Sequence, residues 1–490
     1  MKPWGRILAG IVGLFIVLVA IVAVRTATYR ATETASGRPI ELAPSVPIDI
    51  ERAAQHLGEA VRIRTVSHQH AVENDWAEWD KLHEWLHTTY PAAHAAMTLE
   101  TVAGHTLIYT WRGTDPALPA MILMAHQDVV PVTAGTEHDW RHPPFAGVIA
   151  DDAVWGRGSV DDKGSLVALF EGLDALAASG FVPRRSVVIV SGHDEEAGGT
   201  GARAAARWLR AHGVHAQFAV DEGMLIITDL PLLDRPAALI GIAEKGYATL
   251  KVTAPAKGGH SSAPPPETGV ETLARAVLAI TGHPFPLRFA GPSADMVRAL
   301  APFGSSTLRM AIANEWLFRP FLVRQMSATP VSASTLHTTI APTMLRGSPK
   351  ENVLPQDATA WINYRIAPGT TAADVMHRAK DATAGLDVQL SWEGPAYDPS
   401  PVSSKTSDAY RIIAAIAADQ GRTPVAPGLV TATTDSRSLV GVATDIYRFQ
   451  PISASLRELE MIHGTNEHLT LANLRRSAAF YAQLVATAAR

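Results

Sequence analysis

Short apolar runs that end abruptly in polar residues punctuate the chain between residues 120 and 245. Four of them, at 121–125, 187–190, 218–220 and 239–242, have the length and β-branched content of buried strands. Between the first three lie stretches with helical spacing. One, at 165–178, sets Leu166, Leu169, Phe170, Leu173 and Leu176 along one face; another covers 202–211. Strand-like runs alternating with helices predict an α/β domain built on a mixed, largely parallel sheet. A helical pattern at 48–63 opens this part of the chain.

The pattern changes at residue 246. Alternating strand-like segments fall at 247–253, 334–341, 358–366 and 388–392, and helical ones at 271–280 and 372–383. With the stretch near 285–330 set aside, the order is β-α-β-β-α-β, that of a ferredoxin-like α+β unit. Amphipathic helices at 410–419 and 472–487 and a strand at 444–449 then resume the first pattern. The expectation is one domain, 48–245 and 395–490, interrupted by an inserted second domain, 246–394.

At the N-terminus an uncharged apolar run, 7–24, lies between Lys2 and Arg6 on one side and Arg25 on the other. A helix of that length spans roughly 27 Å, close to the hydrocarbon thickness of a bilayer. It exceeds the core of a typical signal peptide, and no small-x-small cleavage site sits at its end. Residues 1–30 are therefore predicted to be a transmembrane helix, a single-pass membrane anchor. Residues 31–47, polar and proline-containing, would link it to a body on the exported, periplasmic or extracytoplasmic side.

Composition narrows the chemistry. The 490 residues exceed one compact core, and 47% hydrophobic with 18% charged residues is ordinary for a globular chain. A net charge of −5 provides no basic stripe, so no nucleic-acid partner is expected. The absence of cysteine excludes disulfides, thiolate nucleophiles and cysteine-zinc sites. Any metal must be held by His, Asp or Glu.

Such residues collect after the predicted strands. One strand runs into His126-Gln127-Asp128, the next into Asp194-Glu195-Glu196, the third into Asp221-Glu222, and Asp161-Asp162 precedes the helix at 165–178. Ligands of parallel α/β sheets bind beyond the carboxyl ends of the strands, so these clusters should converge. The set suits a hydrolytic two-metal centre. Two divalent ions at roughly 3.5–4 Å separation need an anionic bridge, a shared water and a free carboxylate to take its proton. His126 is a ligand type with Asp128 placed to orient its ring. Glu195 and Glu196 supply adjacent carboxylates, one for base and one for ligand.

The segments AHQDVVPV, WGRGSVDDKGS, GHDEEAGGTGA, VDEG at 220–223, KGGHSSAPP at 257–265 and IHGTNE at 462–467 resemble, in order, the motifs of the carboxypeptidase S and aminoacylase family of di-zinc metallopeptidases. The resemblance runs over roughly residues 50–490. It implies two Zn2+ ions, or other divalent metals, bridged by Asp161. His126 and Asp221 would complete one site, Glu196 and His463 the other. Glu195 would be the general base and Asp128 would orient His126. The inserted domain would act as lid or dimerisation unit, making a homodimer, with His260 bonding the substrate carbonyl oxygen and Asn352 and Arg365 binding its carboxylate. Where relatives carry a Gly-Gly-Thr-Asp-Ser-Arg type segment, this chain has Ala432-Thr433-Thr434-Asp435-Ser436-Arg437, which bears on substrate size.

The function so implied is cleavage of the amide bond of N-acyl amino acids, or of the C-terminal residue of peptides, bearing a free carboxylate. A dipeptidase or deacylase of small polar substrates is the alternative within enzymes. A non-catalytic membrane-anchored binding protein is the alternative outside them, and the retention of Glu195 and every ligand position argues against it. Asp162 is expected to be structural, His138, His142 and His193 to be ordinary surface or loop histidines, and Trp316, Phe318 and Phe321 to pack in the core or lid.

Overall fold

The computed structural model describes residues 3–30 and 40–490. Its centre is a mixed sheet, ten strands among the described residues. Ala120–Met124 lies parallel to both Val187–Ser191 and Ala216–Asp221, and Ala443–Arg448 extends the parallel set. Two strands not foreseen from the sequence, Thr98–Val102 and Thr106–Trp111, add antiparallel at one edge; on the other side Ala237–Glu244 pairs parallel with Val425–Val430. The apolar runs are unbroken because both faces are covered. Met121, Leu123, Val187, Ile189, Phe218 and Val220 enter one core, and Ile122, Met124, Val188, Val190 and Ala219 enter the other. Alternate residues of a strand point to opposite faces, so a doubly covered strand must be apolar throughout.

On the first face lie the helices Ile50–Arg62, Lys163–Ala178 and Leu471–Ala488; on the second lies Thr200–Ala211. Gly172 lets two of them touch, because a methyl there would lie 2.8 Å from the carbonyl oxygen of Ala478. Ends of the chain thus meet early residues: the final helix packs on a helix three hundred residues before it.

From Gly246 a separate antiparallel sheet forms, with Thr339–Arg346, Asp357–Ile366, Gly246–Pro255 and Gln389–Trp392 side by side. The helices Gly269–Thr281 and Ala372–Ala382 cover it through Leu273, Ala276, Ile280, Val375 and Ala379. The strand expected at 334–341 begins later. Residues Pro330–Ser334 form a helical turn instead, because Thr329 caps it through the Ser332 amide and Pro330 suits its first position. The stretch near 285–330 folds as helices, chiefly Gly291–Leu300, Ser306–Ala313 and Glu315–Met326, around Phe289, Val297, Ile312 and Leu322.

The helix Pro3–Thr28 contains a segment, Ile7–Thr28, that is long and apolar enough to cross a membrane and lies outside the core, a property that signal anchors share with membrane spans. Of the segment expected as a linker, residues 31–39 lie outside the described residues. Ala43 is buried, its amide donating to Thr487 Oγ1 and its carbonyl accepting from Gln483.

Candidate metal centre

Three parallel strands end side by side, and each hands its last turn of chain to the same space. Ala120–Met124 delivers His126, Val187–Ser191 delivers Glu195 and Glu196, and Ala216–Asp221 delivers Glu222. Asp161 stands just before the helix Lys163–Ala178, and His463 arrives from the far end of the chain on a loop after Glu458–Met461. Three overlapping groups of converging side chains result: His126, Glu195 and Glu196 form one, and the other two share Asp161. His126, Asp161 and Glu222 form the first of these two; Asp161, Glu196 and His463 form the second, with candidate ligand atoms within 4.8 Å of one another in each. His126 Nε2 lies 2.9 Å from Asp161 Oδ1, and His463 Nε2 lies 3.1 Å from Asp161 Oδ2 and 2.8 Å from Glu196 Oε1. One carboxylate therefore presents one oxygen to each half of the group. Two imidazoles and three carboxylates, with Asp161 shared, fit a pair of divalent ions in donor type and in charge.

The side chains are held by a buried frame. Asp128, fully buried, accepts the amides of Glu195 and Glu196 on its two oxygens at 3.1 Å each, and the Ser67 hydroxyl at 2.6 Å. Its Oδ1 also lies 3.3 Å from His126 Nδ1, so one carboxylate sets both the ring and the Glu195-Glu196 loop. Glu467 does the same on the other side. Its carboxylate accepts the amides of Gly158, Val160 and Asp161 and pairs with Arg157 at 2.7 Å, both side chains buried. The Arg157 guanidinium in turn donates to the carbonyls of His463 and Gly464, so Asp161 and His463 are tied to one ion pair.

Electrostatics follow from crowding carboxylates where water is scarce. Burial pushes the carboxyls of Glu195 and Glu222 well above their usual range, and the charge of His126 opposes the rise in both. Burial would raise Asp161 too, but the bonds from His126 and His463 hold it below its ordinary value. Bonds to Asp161 and Glu196 push His463 up to about 10. These directions describe a site whose acidic groups repel one another until a cation is supplied.

The structure does not bring Asp221 into any of these groups. Its carboxylate accepts the amides of Glu222 and Ser436 at 3.0 and 2.8 Å, and the ligand position beside His126 is taken by Glu222, 3.8 Å from Nε2. The reason is strand alternation: neighbours at a strand end point apart, and the residue that closes the strand turns to the 434–437 loop. Asp435 of that loop is buried beneath the Glu195-Glu196 turn, where Gly192 and Gly199 leave room for its carboxylate that a Cβ would fill. Asp162 is a frame residue, accepting the His126 amide and Gln450 Nε2, and burial raises it to about 8. His193 lies, as one expectation had it, on a loop, the one after Val187–Ser191, but it is buried there, bonded to Thr106 at 2.6 Å.

His260 and Asn352 meet elsewhere. Gly259–His260 pairs with Val353–Leu354 in a two-stranded ribbon, and the Ser261 amide donates to the Asn352 carbonyl. Both residues are exposed, and the ribbon belongs to the inserted unit rather than to the strand ends that gather the metal group. Arg365 stacks over the Tyr247 ring at 4.9 Å. It forms a basic neighbourhood with Lys245, whose amine burial lowers to about 8 with help from the Arg365 charge, and with Arg437.

A doubly covered α/β sheet with histidines and carboxylates converging at its strand ends, an acid-rich shell and a buried carboxylate poised beside it defines a metal-dependent hydrolase. Residues 122–487 match the model of "Peptidase family M20/M25/M40", and the chain belongs to that family. It is 35% identical to "N-fatty-acyl-amino acid synthase/hydrolase PM20D1" of Homo sapiens over 89% of this chain and 88% of the relative. It is 30% identical to "Carboxypeptidase S" of Saccharomyces cerevisiae over 87% and 82%. Among solved structures, an M20 family metallo-carboxypeptidase from Sulfolobus solfataricus superposes with a TM-score of 0.64 at 16% identity, covering 88% of this chain and 98% of that one. The family is one of hydrolytic metallopeptidases, and membership implies divalent-metal binding.

Proposed function

We propose that the chain is a di-zinc amidohydrolase that cleaves N-acyl amino acids, or the C-terminal residue of peptides, carrying a free carboxylate. The observation that carries the reading is Asp161, whose two oxygens face histidines from opposite ends of the chain at 2.9 and 3.1 Å. Asp161 would bridge, His126 and Glu222 would complete one site, and Glu196 and His463 the other. Bound there, the ions would supply a Lewis acid for the scissile carbonyl and a water that ionises at neutral pH.

The chain's own residues do the rest. Glu195 is not needed as a ligand and is the base that takes the water's proton and returns it to the leaving amine. Its burial, which raises the carboxyl, keeps the acquired proton available for that return. Asp128 holds His126 in the orientation that turns Nε2 toward Asp161, where it would serve as a ligand. The inserted unit is a lid, and in the homodimer also a subunit contact. Its closure brings His260 to the carbonyl oxygen and Asn352 and Arg365 to the substrate carboxylate, the Arg365 fork binding it bidentately. The apolar N-terminal helix is a single-pass membrane anchor with the body on the exported side.

The name of the human relative favours an acyl chain on the substrate's other side. Each CH₂ buried there contributes about 0.8 kcal/mol. The test is kcat/KM along a series of N-acyl amino acids of rising acyl length, each compared with its carboxamide. The reading expects kcat/KM to rise with length and to collapse on amidation. If short polar dipeptides are the better substrates, the dipeptidase alternative holds. Equal cleavage of acid and amide removes Arg365 from its role.

A further inference from the structure

The N-terminal helix does not leave the body freely. Along it the half-buried positions are Leu18, Val22 and Thr26, which lie on one helical face, and Tyr29 just after its end is half-buried too. That face rests on the helix Ser306–Ala313. Asn314, fully buried, donates from Nδ2 to the Val22 carbonyl at 3.3 Å and to Thr26 Oγ1 at 3.2 Å. Arg25 Nε donates to the Ala313 carbonyl at 3.0 Å, and the Tyr29 hydroxyl to the Arg298 carbonyl at 2.9 Å. The last two turns of the apolar helix are thus bonded to the helical insertion.

The helix Glu315–Met326 begins directly after Asn314, and its exposed side carries Trp316, Leu317, Pro320 and Phe321 along with Arg319, Arg324 and Gln325. Trp316, Leu317 and Phe321 are 58%, 40% and 48% exposed, and Pro320 lies exposed between them. Its other side packs inward through Leu322, with Phe318 and Val323 against the same cluster. So two of the three aromatic residues expected in a core or lid are at the surface. Arg324 is exposed on the same side, one turn beyond Pro320 and Phe321, while Arg319 donates to the Phe289 carbonyl and pairs with Glu315. Trp316 is two residues from Asn314, so their Cα atoms are at most about 7 Å apart. Trp316 and Arg25 also line one cavity of about 720 Å³ at this junction. Trp316, the first residue of the stripe, therefore stands beside the end of the apolar helix, where a membrane-spanning segment reaches the headgroups.

We infer that the Trp316–Leu317–Phe321 face docks in the interface of the same bilayer that holds the N-terminal helix, so that the body is seated on the membrane at two places. The inference rests on the anchor proposed for the N-terminal helix. Aromatic and leucine side chains on one exposed face, with an arginine whose long stem lets its charge reach the phosphates, suit an interfacial helix, whose apolar side chains enter roughly 5–10 Å into the headgroup boundary. Tryptophan at the mouth of a span is favoured for the same reason. Seating by two contacts fixes the body's height and tilt, which a single flexible tether would not.

The chain has no cysteine, so each engineered thiol is unique. Full-length protein is reconstituted in phosphatidylcholine vesicles containing nitroxide-labelled lipid, with a fluorescent dye on Phe15→Cys in the span, or on Leu317→Cys or Phe321→Cys on the exposed face. The inference expects lipid-borne nitroxide to reduce emission roughly twofold or more at 317 and 321, and aqueous iodide to reach them poorly, as for groups at interfacial depth. Quenching by lipid at 15 with iodide access at 317 and 321 would overturn the docked face and leave the anchor standing. No lipid quenching at 15 would overturn the anchor and the docking with it.

Discussion

The metal centre and the His260 ribbon carry the two halves of the expected chemistry, and they are built in opposite ways. At the centre, every candidate ligand or its loop is bonded to a buried charge: Asp128 to His126 and the Glu195-Glu196 amides, Asp221 to the Glu222 amide, and Glu467 and Arg157 to the Asp161 and His463 loops. In the ribbon, His260 and Asn352 are exposed and are held by a two-residue strand pair. A group that must bind cations in fixed geometry has to be organised before they arrive. A group that must let substrate in can be organised by the substrate, at the cost of ordering it then. The contrast teaches that the two halves should fail differently when broken.

The largest effect is expected at the base. Glu195→Gln keeps the side chain's size but cannot take a proton, and should lower kcat by roughly 10²–10⁴-fold with metal content unchanged. Steady-state kinetics beside elemental analysis checks this, and near-normal turnover at full metal occupancy would remove Glu195 from the role. Next comes the frame. Glu467→Ala leaves Arg157 buried without its partner, which costs about 3–5 kcal/mol. Denaturant unfolding should register that loss and metal should bind more weakly, since both the Asp161 and His463 loops are released.

On the ribbon side, His260→Ala should lower kcat by roughly 10²–10³-fold, the scale of one lost donor to a developing oxyanion. Unlike the frame variant it should leave the melting temperature unchanged, because the residue is exposed. A melting temperature that falls with activity would make His260 structural and erase the contrast.

The smallest effect is in the pH response of chelated protein. Glu195, Glu222 and Asp162 carry carboxyls raised by burial, Asp162 to about 8. A raised carboxyl keeps in the folded chain a proton that the unfolded chain releases near pH 4. Its stabilisation is therefore full below about pH 4 and is lost as pH climbs toward 8. Thermal melts of the chelated protein should shift downward from pH 5 to pH 8, and zinc should flatten the trend.

Much of this was legible in the chain. The central strands and the order of the small antiparallel sheet follow from apolar runs and alternation, because burial on two faces or one writes those patterns directly. Metal-capable residues announced themselves by collecting at strand ends. What was not legible depended on which way a side chain turns or what it meets far off. Asp221 and Glu222 are adjacent acids, and only the strand's final pleat decides that Glu222 faces the centre. Arg157 and Glu467 lie three hundred residues apart, each inside a family motif, yet nothing local marks them as partners. The outermost strand, Thr98–Val102, is exposed along the rim of the sheet, so its apolar signal is weak. The docking of the N-terminal helix rests on Asn314, a polar residue in an apolar stretch whose meaning appears only with its partner.

The central claim is that Asp161 bridges two ions. Metal-to-protein stoichiometry of the purified chain and of two variants, Asp161→Ala and His463→Ala, tests it most directly. Two zinc ions per chain are expected for the unaltered protein, with loss of both sites' affinity in Asp161→Ala and of mainly one in His463→Ala. One firmly held ion remaining in Asp161→Ala, as in His463→Ala, would show that Asp161 serves a single metal and would contradict that claim.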